Sequence, residues 1–168
     1  MTIAARLFFA SIYLLTAPVA YGSQLCSPFL CKNVDRSKIN YEPTSSFAPS
    51  DVLKIVEAIR DAASLTTSFR LVPTTQVPNA AAETRQGTRF ILYNPNWVSQ
   101  FDFNTNKRWI YLGLMAHEVG HHVHDHSGGS KPPTELEADH FAGFAVQRLG
   151  ATKDEALSLW QAGPPSVG

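Results

Sequence analysis

The sequence predicts an α+β domain, with a small sheet packed on a buried helix and a helical C-terminal half. Three observations predict it. Apolar residues recur at helical spacing at Val52, Ile55, Val56 and Ile59. Two short strand candidates, residues 69–72 and 89–93, flank an Ala-rich stretch and a turn. From Trp109 to about Trp160 the pattern is helical, with a start or stop signal at each break.

Each element has a local reason. Ser50 reads as the N-cap of a helix over 51–64. Pro73 closes the first strand, and the three residues Arg85-Gln86-Gly87 suit a hairpin turn with a bulge. Asn94-Pro95-Asn96 ends the second strand. Asn104, Thr105 and Asn106 are alternative N-caps for the next helix. No charged residue occurs over 109–116, and a helix apolar on every side is a buried one. It runs through His117-Glu-Val-Gly-His121-His-Val-His-Asp-His126 and is expected to stop at Gly128-Gly129. Pro132-Pro133 opens a helix reaching about Leu149, with Gly150 behind it. Thr152 and Glu155 form a capping box for a last short helix, and residues 163–168 read as a frayed tail.

The N-terminus has a different character. One positive charge at Arg6 precedes an apolar run from Leu7 to about Ala20, interrupted by Ser11, Thr16 and Pro18. This fits a secretory signal peptide over 1–22, cut after Gly22. The alternative, an uncleaved anchor, is disfavoured because a comfortable span needs about 20 apolar residues. Export to a periplasmic or extracellular setting is the expectation, with no stable membrane span after cleavage. Residues 23–48 read as an arm or linker. Cys26 and Cys31 can bridge to each other in an oxidising compartment; the alternative is two unpaired thiols. The 14 basic and 14 acidic residues cancel without clustering, so nucleic acid is not an expected partner. The domain proper is expected over 49–162.

The chemistry concentrates in two short runs. His117 and His121 are four apart and share one helix face, so both can reach a single zinc ion at about 2.0–2.1 Å. Glu118 lies beside the first of them, placed to take a proton from zinc-bound water. A charged triplet at the end of an apolar run is costly without a metal or a cleft. In the next helix Glu135 and Asp139 are again four apart. A carboxylate there supplies the missing third protein ligand, and the fourth position stays open for water. Asp139 can accept the other ring N–H of a ligand histidine. The short connection between the two helices forces them side by side.

These residues carry a resemblance. His117-Glu-Val-Gly-His121 followed by Glu135-Leu-Glu-Ala-Asp139 resembles the HExxH…ExxAD signature of gluzincin metallopeptidases. It is most similar to the class holding CAAX prenyl endopeptidases and the HtpX heat-shock protease, without their transmembrane helices, and its size is similar to that of minigluzincins. The resemblance implies a zincin-like fold and one Zn2+ held by His117, His121 and Glu135. It implies Asp139 behind a ligand histidine, Glu137 in neither role, and Glu118 as the catalytic base. The implied activity is hydrolysis of peptide bonds in a peptide or protein substrate. The alternatives are a hydrolase of non-peptide amides and a non-catalytic, zinc-stabilised secreted binding domain.

The remaining candidates are weaker. His124 and Ser127 stand where the metzincin pattern has Gly and His, which excludes that family. His122, His124 and His126 read as solvated residues near a helix end, where a cation is favoured; His140 is expected to face away from the metal. Tyr93, Tyr111 and Arg148 are oxyanion donors by residue type only, with ordinary packing as the alternative. The strand over 89–93 is either an edge that pairs with extended substrate, as zincin folds imply, or an ordinary core strand.

Overall fold

The computed structural model describes residue 39 and residues 50–101, 105–126 and 131–161. The proposed signal peptide, Cys26 and Cys31, Asn104, Gly128-Gly129 and the 163–168 tail lie outside the described residues, as does the Ser50 side chain. The elements are α1 (Ser50–Ala62), β1 (Arg70–Pro73), β2 (Ala80–Arg85), β3 (Thr88–Tyr93), α2 (Pro95–Val98), α3 (Arg108–Val123), α4 (Pro132–Arg148) and α5 (Lys153–Gln161). The α+β class is as the sequence predicts. Among the described residues no helix is long and apolar enough to cross a membrane.

Three helices stop by one device. In each, the residue after the cap takes a left-handed backbone, and the next N–H reaches back to close the last turn. At α4 that residue is Gly150, φ 97°, and Ala151 N–H donates to the Val146 carbonyl at 3.0 Å. At α1 it is Ser64, φ 54°, with Leu65 N–H on Arg60 O at 2.9 Å. At α3 it is Asp125, φ 51°, with His126 N–H on His121 O at 2.9 Å. Asp tolerates this backbone better than most residues, so α3 ends before Gly128-Gly129 is reached. Its start has no side-chain cap; Thr105 Oγ1 instead accepts from Lys107 N–H at 3.3 Å, one step earlier.

The sheet order is β1-β3-β2, with β1 parallel and β2 antiparallel to β3. Arg85 pairs with Thr88, so the hairpin loop has two residues, Gln86 and Gly87. This corrects the expected three-residue turn. Both loop residues are left-handed, φ 48° and 75°, and a two-residue turn of that hand matches the twist of its strands. Asn94 caps the one-turn helix α2, accepting from Asn96 N–H at 3.0 Å, and α2 buries Trp97 and Val98.

β3 is buried along Phe90–Ile91–Leu92–Tyr93 because both faces of the sheet are covered. Ile91 and Tyr93 join the helical core with Val52, Val56 and Ile59 of α1 and Tyr111, Leu114 and Met115 of α3. Phe90 and Leu92 face the other way, onto Val72, Val77 and Ile39. Ile39 comes from the stretch read as an arm, and it is buried on the sheet. The apolar 109–116 run is buried or half-buried throughout, as predicted. The Thr152 box is also present: Thr152 N–H donates to Glu155 Oε2 at 2.8 Å, and Glu155 N–H to Thr152 Oγ1 at 3.3 Å.

α3 and α4 approach closely at Gly120. A Cβ there would lie 3.0 Å from Ala138 Cα, 3.0 Å from Ala138 O and 3.1 Å from Phe141 Cβ. Two of those atoms are backbone and cannot swing aside, so α3 and α4 pack this tightly only with glycine at 120. Gly120→Val should cost about 1–3 kcal/mol through overpacking, read as a lower urea midpoint at unchanged slope. A wild-type midpoint would show that the helices do not touch there.

Candidate metal centre

The site is built from two helices. His117 and His121 stand one turn apart on α3, rings 4.7 Å apart and nearly perpendicular at 84°. Glu135 comes from the first turn of α4, brought within reach by the Gly120–Ala138 contact. The His117 and His121 Nε2 atoms are 3.0 Å apart. Glu135 Oε2 is 3.3 Å from His117 Nε2, and Oε1 is 3.7 Å from His121 Nε2. Ligands about 2.0–2.1 Å from a tetrahedral ion lie about 3.3 Å from one another. The separations lie near that value, with the two Glu135 oxygens each facing one ring, so the donor types and their closeness fit. His117, His121 and Glu135 form a buried group that can hold a metal ion.

Asp139 lies behind the first ligand, its Oδ1 2.8 Å from His117 Nδ1. A proton on Nδ1 leaves the Nε2 lone pair facing the group. The electrostatics differ between the two rings. Burial pulls His117 down, but hydrogen bonds to Asp139 and Glu135 and the charge of Glu118 outweigh it, holding the ring well above the usual imidazole range. Burial and the His117 charge together push His121 down. The two rings are biased oppositely, His117 toward its charged form and His121 toward its neutral form.

Glu118 leaves the group on the other side. It is 2 % exposed, and its Oε2 accepts from Ala82 N–H of β2 at 2.6 Å. Burial pushes its pKa up to about 7, against the lowering effects of His117 and the Ala82 N–H.

The histidine-rich end of α3 differs from expectation. His124 is exposed, as expected, and so is His140. His122 is not solvated: it is 3 % exposed, stacks on Phe69 at 5.4 Å and donates from Nε2 to the Phe90 carbonyl at 2.8 Å. It ties α3 to β3, as one turn of helix places it opposite the solvent side. His126 is not solvated either, since its side chain is 9 % exposed. The left-handed Asp125 folds it back, so that His126 Nδ1 lies 2.9 Å from His121 Nδ1 and Nε2 lies 2.7 Å from Glu137 Oε2. The early helix stop was the missed signal. Five residues on an unbroken helix would have put His126 on another face. Asp125 itself is fastened by Arg89, Nη2 to Oδ1 2.6 Å.

Two further expectations are corrected or redirected. Residues 89–93 form the central strand, paired on both sides, so they cannot accept another strand; the edge beside Glu118 is β2. Tyr93 and Tyr111 are fully buried core residues, with burial pushing the Tyr93 hydroxyl up to about 12 and that of Tyr111 further. Arg148 Nε donates to the Ala62 carbonyl at 3.2 Å. Packing accounts for all three. A polar hollow of about 650 Å3 between the Thr66–Ser68 loop and the β2–β3 turn shares no residue with the metal group.

Comparison with protein-family models, curated proteins and solved structures finds no match to this chain. The chemistry therefore rests on the residues themselves.

Two outcomes are expected. Glu135→Ala should weaken zinc binding by about 100-fold or more, beyond the loss usual for a supporting residue, in a chelator competition; equal zinc content would remove the third ligand. Metal binding at the Nε2 atoms must displace the His117 proton, so affinity should rise as pH rises through the neutral range. Calorimetry at pH 7.5 in buffers of different ionisation enthalpy should show a proton released, and none released would contradict the charged His117.

Proposed function

We propose that the domain is a zinc-dependent peptidase of the gluzincin kind, with a zincin-like arrangement of sheet and active-site helix. One observation supports it above the others. Three side chains converge closely enough to share one ion, and the adjacent buried carboxylate, Glu118, is not among them but is held by a sheet edge. A structural zinc site fills all four positions with protein ligands; here three side chains converge among the described residues, and a carboxylate suited to proton transfer stands beside them.

Zinc held there supplies a Lewis acid for the scissile carbonyl and lowers the pKa of water to about 7. Glu118 does the proton work. With its pKa near 7 it can accept a proton and release it again at neutral pH. The Ala82 N–H fixes which oxygen stays bound to the sheet and which is left to move the proton. Asp139 holds the His117 ring in place. Among the described residues β2 pairs only with β3, so its outer edge, apart from the Ala82 N–H held by Glu118, offers backbone groups to an extended peptide, a mode tolerant of sequence. The proposed substrate is therefore a peptide or protein chain. The proposed setting is outside the cytoplasm, a reading that rests on the sequence of residues 1–22.

Glu118→Gln tests this. Zinc content should stay at the wild-type level while turnover of a mixed peptide library falls by about 10²–10⁴-fold. Full activity in that variant would end the mechanism, and loss of zinc would make Glu118 a ligand rather than a base.

A further inference from the structure

His121 has a supporting pair that matches what Asp139 does for His117. To offer the Nε2 lone pair to a metal, neutral His121 must carry its proton on Nδ1. Across from it, His126 Nδ1 lies at 2.9 Å. Two ring nitrogens bond at that distance only if one carries the proton, so His126 Nδ1 is the acceptor. The proton of His126 then sits on Nε2, and Glu137 Oε2 is there to accept it at 2.7 Å. One tautomer assignment satisfies every atom in the row.

We propose that His126 and Glu137 are positioning residues for the metal ligand His121. They lock its tautomer and ring orientation and pass the carboxylate's pull to it through one imidazole. The inference rests on the reading of His117, His121 and Glu135 as a metal site. It gives Glu137, which sequence leaves without a role, a definite one. It also explains the turn after α3: Arg89 fastens Asp125, Asp125 takes the left-handed backbone, and His126 is set against His121 as a result.

The test uses zinc alone as the probe, on the full chain, with His117→Ala as the control. His126→Ala should weaken zinc binding about 10–100-fold, and Glu137→Ala by up to about tenfold. The Glu137 side chain is 57 % exposed, so its removal leaves the core intact. The double variant should bind zinc as His126→Ala does, because Glu137 acts only through His126. Long-range 1H–15N spectra of the zinc-loaded protein should place the His121 proton on Nδ1 and show its shift move in Glu137→Ala; a merely structural role would leave that resonance in place. The proposal is overturned if His126→Ala binds zinc like wild type while His117→Ala does not, if the two single losses add, or if the His121 proton does not respond to Glu137. Wild-type zinc binding by His117→Ala as well would instead overturn the metal-site reading itself.

Discussion

α3 and α4 meet backbone against backbone at Gly120 and Ala138, and that contact decides whether Glu135 reaches the two histidines. The ligands belong to separate helices joined by a loop, so their distance is set by helix packing and not by covalent geometry. Any side chain at position 120 meets main-chain atoms that cannot rotate away. Small residues at the crossing are what bring the Glu135 carboxylate of α4 within 3.3 Å of the His117 ring of α3. Gly120 thus serves the chemistry without touching it.

The same closeness collects charge. His117 is fully buried with Glu118, Glu135 and Asp139 around it, and buried charges persist only when paired. His117, held toward its charged form, balances part of this negative charge, and a divalent ion would balance more of it. The supporting groups are arranged alike on the two rings: a carboxylate directly behind His117, and an imidazole backed by a carboxylate behind His121. Hydrogen bonds to ionised groups are stronger than neutral ones, and with a metal bound they would fix which nitrogen of each ring is bare.

The sequence is most readable where a feature is local. Pro132, Gly150 and the Thr152–Glu155 box locate α4 and α5 because caps act within a few residues. The i, i+4 spacing of His117 with His121 and of Glu135 with Asp139 locates the site because helix periodicity orders those pairs. Features set by tertiary partners are not legible in this way. Arg89-Phe-Ile-Leu-Tyr93 looks the same whether it is an edge or a centre; pairing with both β1 and β2 decides it. His122 and His126 look like solvated neighbours in sequence. One is captured by the Phe90 carbonyl, and the other by a backbone reversal at Asp125 that carries no glycine to announce it. Export, the leader and the two cysteines belong to residues outside those described.

The tether between Glu118 and Ala82 has a further effect. An open sheet edge is a template on which a second molecule can extend the ladder and begin an aggregate. Here β1 is four residues long and ends at Pro73. On β2 the outward N–H of Ala82 is already taken by a buried carboxylate. A neighbouring molecule's strand would find one rung of the ladder missing beside the helix. The carboxylate proposed to move protons thus also occupies one backbone donor of this edge.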